Sequence, residues 1–400
     1  MFRLSCRLLA VLLLALLPHA ARADECALAD AAADVASAHR ALVAMPAPED
    51  LDTAIPAATQ RGIVRLKDAL GALLAARMSC AVADEKADAI VADINAALRP
   101  LAAACDGQCA AHPYHPTPVF AAERTDDTRH LLAIVARIGI ECGSDAVLWI
   151  YESAAQRWRE RLHWQAPPYD KVSGALEAFD YRISPPDASG DWYVLVKDIM
   201  PWCSSTWSTI RYAVLRPGDD AKAQQIVFHA QDSVWWGNDD TGEIAATAGE
   251  FDVRFHAASI EPAVHNRVHI RHFAIDGAQV RRMQPVALTP RDFVDEWIVS
   301  KWADATRWSA PDNRPALAQW HGRMQGADSP YYEFFAARAC ASTQDASVKS
   351  RVEVEVLDPR DRQTYFLLVD GSRDFRMLRI ATSADAHCAG ADLLPEMLTQ

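Results

Sequence analysis

The chain has no surplus of positive charge: 53 acidic residues outnumber 40 basic ones over 400 positions, a net charge of −13. Binding nucleic acid by displacing counterions needs a concentrated basic surface, so no nucleic-acid partner is expected. Glycine is sparse at 16 residues and proline is at an ordinary 22, which excludes collagen-like and low-complexity chains. The familiar catalytic and nucleotide-binding signatures are missing: G-x-S-x-G, G-x-x-x-x-G-K-[ST], G-x-G-x-x-G, H-E-x-x-H and C-x-x-C-H do not occur. No cofactor is therefore expected. Beyond the N-terminus no apolar run approaches the roughly 18 residues of a membrane-spanning helix, so no transmembrane segment is expected in the mature chain.

What is present at the N-terminus reads as targeting. Arg3 and Arg7 precede an unbroken apolar run, Leu8 to Leu17, and Ala21-Arg22-Ala23 supplies a small-x-small cleavage site. Residues 1–23 are expected to be a signal peptide, which makes the protein periplasmic or secreted. Removing the three arginines of that segment takes the net charge to −16.

Subtracting Cys6 leaves eight cysteines, an even number that reads as four disulfides in an oxidising compartment. Residues 24–112 are Ala-rich with apolar residues at steps of three and four: Leu28 to Met45, Ile63 to Leu73 and Ile90 to Leu101. That period makes a helical bundle of three helices. Antiparallel packing of the first two brings Cys26 beside Cys80, and leaves Cys105 to pair with Cys109.

From 113 to 288 the period shortens to two, in apolar and aromatic runs punctuated by turns such as Asp276-Gly277. The expected unit is an all-β antiparallel domain, propeller-like or a sandwich. A repeat supports the first form: Tyr151, Tyr212 and Phe273 are 61 residues apart, each followed by a second strand. Residues 289–400 open with a capped helix at Thr289-Pro290 and end in four strand patterns, an α+β domain with an antiparallel meander. Cys340 and Cys388 are expected to tie its first strand to its tail, and Cys142 with Cys203 to staple the β domain. The whole is a multidomain α+β protein.

Four clusters carry possible chemistry. Cys105-x3-Cys109-x2-His112-x2-His115 has metal-like spacing, but oxidised thiols cannot ligate and the flanking prolines suit a linker. The second cluster alternates along two strands: Asp252, Arg254 and His256 on one, Arg267, His269 and Arg271 on the next. An antiparallel hairpin is expected to set Asp252 against Arg271, Arg254 against His269 and His256 against Arg267. That basic face suits an anionic small molecule or a glycan. Eight of the 12 tryptophans lie between Trp149 and Trp236. Trp202, Trp235 and Trp236 are the ones expected in loops, where indoles stack on sugars. Asn238 to Glu243 lacks the spacing of a calcium loop and reads as a polar turn.

Two functions follow. The first is a non-catalytic binding protein with its ligand or partner surface on the β domain. The alternative is a cell-envelope hydrolase using Asp252, His256 and His269.

Overall fold

The computed structural model describes residues 27–46, 54–103, 112–114, 116–124, 130–140, 143–169, 178–199, 206–235, 237, 241–261, 264, 266–325, 331–341, 351–371 and 374–397. Among them are seven α-helices and four antiparallel sheets of four strands each, none closed into a barrel. The fold is mixed α+β. No helix among the described residues is long and apolar enough to cross a membrane. The expected signal segment lies outside the described residues, as do Cys26, Cys105, Cys109, Cys142 and Cys203.

Two compact units divide the chain. The first holds residues 1–179, 198–205 and 215–226, and the second holds 180–197, 206–214 and 227–400.

In the first unit α1 (Leu28–Val43), α2 (Ala57–Cys80) and α3 (Ala87–Ala103) precede the sheet β1 (Val119–Arg124), β2 (Leu131–Ile140), β3 (Gly143–Ala154) and β4 (Arg157–Gln165). Most of the apolar stripe positions read from the sequence are buried: Val35, Ala38 and Leu42, then Ile63, Leu66, Leu70 and Leu73, then Ile90, Ile94 and Leu101, while Ala97 is half-buried and its neighbour Leu98 is buried instead. The helices do not close a core by themselves. Their stripes merge with Leu132, Ile134, Ala136, Val147 and Trp149 of the sheet into one cluster.

Two polar devices fasten helix to sheet. Lys67 of α2 is buried with its ammonium 2.8 Å from Asp145 Oδ2 of β3, and it also donates to Ala166 O at 3.1 Å. Tyr169 donates to the same Asp145 oxygen, and Tyr114 donates to Tyr169. From α3, the Asn95 amide accepts from Phe120 N–H and donates to Phe120 O, each at 2.9 Å. That side chain occupies the free edge of β1 as another strand would. Cys80 is disulfide-bonded; the expected partner, Cys26, is one of the residues not described.

The second sheet is β5 (Asp180–Ile183), β6 (Val194–Ile199), β7 (Trp207–Arg216) and β8 (Gln225–Trp235), with residues in each unit. The third is β9 (Glu243–Ala246), β10 (Glu250–Ala257), β11 (Arg267–Asp276) and β12 (Gln279–Arg282). Gly277 takes φ +58° in the turn that joins β11 to β12, a left-handed conformation that glycine enters without strain. Within the second unit Phe228 packs on Phe251 and Phe273, with ring centroids 5.7 and 4.8 Å apart, and Tyr212 joins the cluster. The 61-residue repeat falls on one structural position: Tyr151, Tyr212 and Phe273 each lie on the third strand of a four-stranded meander, β3, β7 and β11.

The period then breaks because helices α4 (Pro290–Val299), α5 (Trp302–Ala305) and α6 (Arg314–Gln325) intervene. A fourth meander follows: β13 (Glu333–Ala339), β14 (Arg351–Asp358), β15 (Gln363–Asp370) and β16 (Arg376–Ala381), with α7 (Leu394–Met397) in the tail. Thr289 caps α4 as read from the sequence, accepting from Asp292 N–H at 3.1 Å. Phe293, Trp297 and Ile298 of α4 fill the core beneath Val354, Val356 and Leu367. Cys340 and Cys388 are bonded, as expected.

Candidate functional site

The hairpin β10–β11 carries the second of the clusters singled out in the sequence, and its register differs from the expected one by a single residue. Asp252 opposes His272, Val253 opposes Arg271, Arg254 opposes Ile270, Phe255 opposes His269, His256 opposes Val268 and Ala257 opposes Arg267. Side chains alternate along a strand, so this one-residue change sends the two sets to opposite faces. The expected pairs Asp252–Arg271, Arg254–His269 and His256–Arg267 do not form. The physical reason is what awaits each set.

Arg267, His269 and Arg271 share the face of Phe251, Val253 and Phe255, and there they meet α4. Arg291, Asp292, Asp295 and Glu296, all on α4, are all buried. Glu296 receives Arg267 at 2.8 Å, Arg271 at 3.0 Å and Arg282 at 2.7 Å. Asp295 receives Arg267 at 2.7 Å, Ser259 Oγ at 2.7 Å and Ile260 N–H at 3.0 Å. Arg271 has a second acid, Asp232 of β8, at 2.9 Å, and Asp232 also accepts from Tyr212. His269 lies 3.3 Å from Glu296 through Nδ1, and its Nε2 is 3.2 Å from Ala258 O.

Electrostatics follow from these contacts. Burial disfavours the charged form of Asp295, yet Arg267 outweighs it and holds the carboxyl below its ordinary range. At Glu296 burial is overcome by Arg271 and Arg282, and the carboxyl is held well below that range. His269 is pushed down, first by burial and then by Arg267. It is a neutral imidazole packed flat on Phe255, at 5.8 Å between ring centroids. The guanidiniums on this face are therefore each matched by carboxylates inside the fold.

The other face is the accessible one. Asp252 is 2.7 Å from His272 Nδ1. Arg254 is exposed, opposite Glu243 on β9. His256 Nδ1 lies 2.9 Å from Asn266 Oδ1, and the indole of Trp235 meets its ring edge-on at 6.2 Å. Arg254, His256 and Trp235 thus lie around one end of the sheet, while Asp252 and His269, two of the groups proposed for catalysis, are on opposite faces.

Of the metal-like cluster only His112 is described. It is buried, and its Nδ1 accepts from Tyr114 N–H at 3.3 Å. Cys105, Cys109 and His115 lie outside the described residues, as do Trp202 and Trp236. Among the described residues no group of three or more His, Cys, Asp or Glu side chains could hold a metal ion. In the first unit a groove of about 1800 Å³ is walled by alanines of α1 and α3, including Ala29, Ala33, Ala36 and Ala97, with the ion pairs of Arg77 to Glu85 and Asp93 at its floor.

Sequence reasoning missed the acids that complete the cluster: Asp232, Asp295 and Glu296. A signal for two of them existed. Arg291 with Asp295 and Asp292 with Glu296 are i,i+4 pairs, a charged stripe on the same helix as the buried Phe293 and Trp297. Compared with known families and with curated proteins, the chain matches none.

Proposed function

We propose that the protein is an exported, non-catalytic binding protein whose ligand face is the surface around Arg254, His256 and Trp235. The observation that carries this reading is the sorting of charge between the two faces of β10–β11. Arg267, Arg271 and Arg282 are committed to buried carboxylates, whereas Arg254 remains exposed beside an imidazole and an indole. A guanidinium offers planar paired donors to a carboxylate, and an indole offers a flat surface to a sugar ring. An acidic glycan or a small carboxylate is the ligand class that uses both. Export rests on the signal-like N-terminus and agrees with the Cys340–Cys388 bond.

The architecture proposed with it is a propeller-like succession of four-stranded meanders. Its support is the 61-residue repeat on β3, β7 and β11 and the aromatic packing of β7 and β8 against β10 and β11.

Titration of the mature chain with oligogalacturonate and with citrate, followed by tryptophan fluorescence and calorimetry, tests the reading. Saturable binding is expected, weakened at least tenfold by Arg254→Ala or Trp235→Ala. Absence of binding to both probes overturns the ligand assignment. Hydrolysis of ester, phosphate or glycoside substrates that disappears in a folded Asp252→Asn or His256→Asn variant establishes the hydrolase instead.

A further inference from the structure

Residues 382–397 return to the last sheet as a strap along β13. Leu393 N–H donates to Ala337 O at 2.7 Å and Gly390 N–H to Ala339 O at 3.2 Å, while Ala341 N–H donates to His387 O at 2.7 Å. Asp392 Oδ1 accepts from Ala337 N–H at 2.9 Å. Before this seam, Asp385 N–H donates to the buried Glu353 carboxylate at 3.0 Å. The approach is close: a Cβ on Gly390 would stand 2.5 Å from Ala339 O, so the residue there has to be glycine. The strap thereby satisfies main-chain groups that an edge strand otherwise presents to other chains.

Apart from these bonds the strap is weakly anchored. Within residues 382–397 only Cys388 and Leu394 are buried, and Cys388 is itself half of the disulfide to Cys340. Leu393 and Met397 are half-buried against the core. Arg379–Asp385, at 2.8 Å, is a surface ion pair of the kind that contributes little. Fixing a segment costs conformational entropy at every residue, and one buried leucine offsets only a small part of that. The sheet itself has a separate foundation, in which Val354, Val356 and Leu367 pack on Phe293 and Trp297.

We infer that Cys340–Cys388 is a redox latch, whose reduction releases residues 382–397 from β13 and opens that edge and Glu353 to solvent while the sheet stays folded. Cys340 follows β13 and is half-buried, whereas Cys388 is buried, so Cys340 is the more accessible sulfur. A dithiol reductant supplies the two electrons. Its thiolate attacks Cys340 Sγ, Cys388 leaves as a thiolate and takes up a proton, and the second thiol of the reductant frees Cys340 from the mixed disulfide. The products are two cysteine thiols and the oxidised reductant. Opening of this sort is local, because it breaks the seam and leaves the core beneath the sheet in place.

Hydrogen–deuterium exchange at pH 7, read on peptides of the mature chain, tests the latch. In Cys340→Ser/Cys388→Ser, residues 333–341 and 382–397 are expected to exchange about tenfold faster or more, with residues 352–369 and 290–299 protected as in wild type. Wild type treated with dithiothreitol until peptide mapping finds Cys340 and Cys388 as thiols is expected to show the same pattern. Residues 382–397 that stay protected in both the variant and the reduced protein overturn the inference, because the strap then holds without the bond. Exchange that rises equally over residues 352–369 overturns it too, because the bond then secures the whole sheet.

Discussion

His269 shows how one residue can look catalytic and serve the fold. Its ring is buried and neutral because burial and then Arg267 penalise the imidazolium. The unfolded chain takes up a proton there below about pH 6.5, whereas the folded chain resists it, so this group costs stability as pH falls from that value. His163 and His321, lowered mainly by burial, act in the same direction. Asp295 and Glu296 have depressed carboxyls, so their contribution is present above about pH 4.5 and is lost as pH falls through their folded values. The urea midpoint is therefore expected to fall in two stages between pH 7 and pH 3. His269→Gln should shrink the upper stage and leave the lower one. An upper stage unchanged by that substitution would contradict the assignment. These roles were only half legible in the sequence. Alternation along β10 and β11 showed which basic residues shared a face. It could not show which face, because the segment between Ala257 and Arg267 is too long to fix a hairpin register by turn type.

At the scale of elements, helices and meanders were the most legible features. Most of the apolar steps of three and four in α1 to α3 are buried, and Thr289 caps α4 as its sequence suggested. What the periodicity left out was the partner of each element, because a stripe announces burial without naming the surface it meets. The clearest case is Lys67–Asp145, a pair that ties α2 to β3 and that neither segment foretells. Burial raises the Asp145 carboxyl and Lys67 opposes it. Lys67→Met is expected to lose about 3–5 kcal/mol by leaving that acid buried without its cation, and Lys67→Met/Asp145→Leu to recover most of the loss. Urea unfolding of the four members of this double-mutant cycle gives the coupling directly; additive losses would deny it. Asn95→Ala should cost about 1–3 kcal/mol by stripping the β1 edge of both hydrogen bonds, measured in the same way.

Across the whole molecule, covalent and ionic closures supplement the two large apolar cores. The Cys340–Cys388 bond joins residues 48 apart in sequence, a span worth about 4 kcal/mol in the chain-entropy description. The Cys340→Ser/Cys388→Ser variant is accordingly expected to unfold at a lower denaturant midpoint, by nearly that free energy. The ionic closure bears on function most directly, because it decides whether the charged hairpin is a site or a part of the frame. Glu296 is the acid on which Arg267, Arg271 and Arg282 converge. The most direct measurement is the equilibrium unfolding of Glu296→Gln against wild type at pH 7. If the cluster is frame, removing that charge leaves the buried Arg267 and the partly buried Arg271 and Arg282 under-compensated and lowers stability by about 3–5 kcal/mol. An unchanged stability would show that the arginines do not depend on Glu296, and would return them to the list of groups available for a ligand.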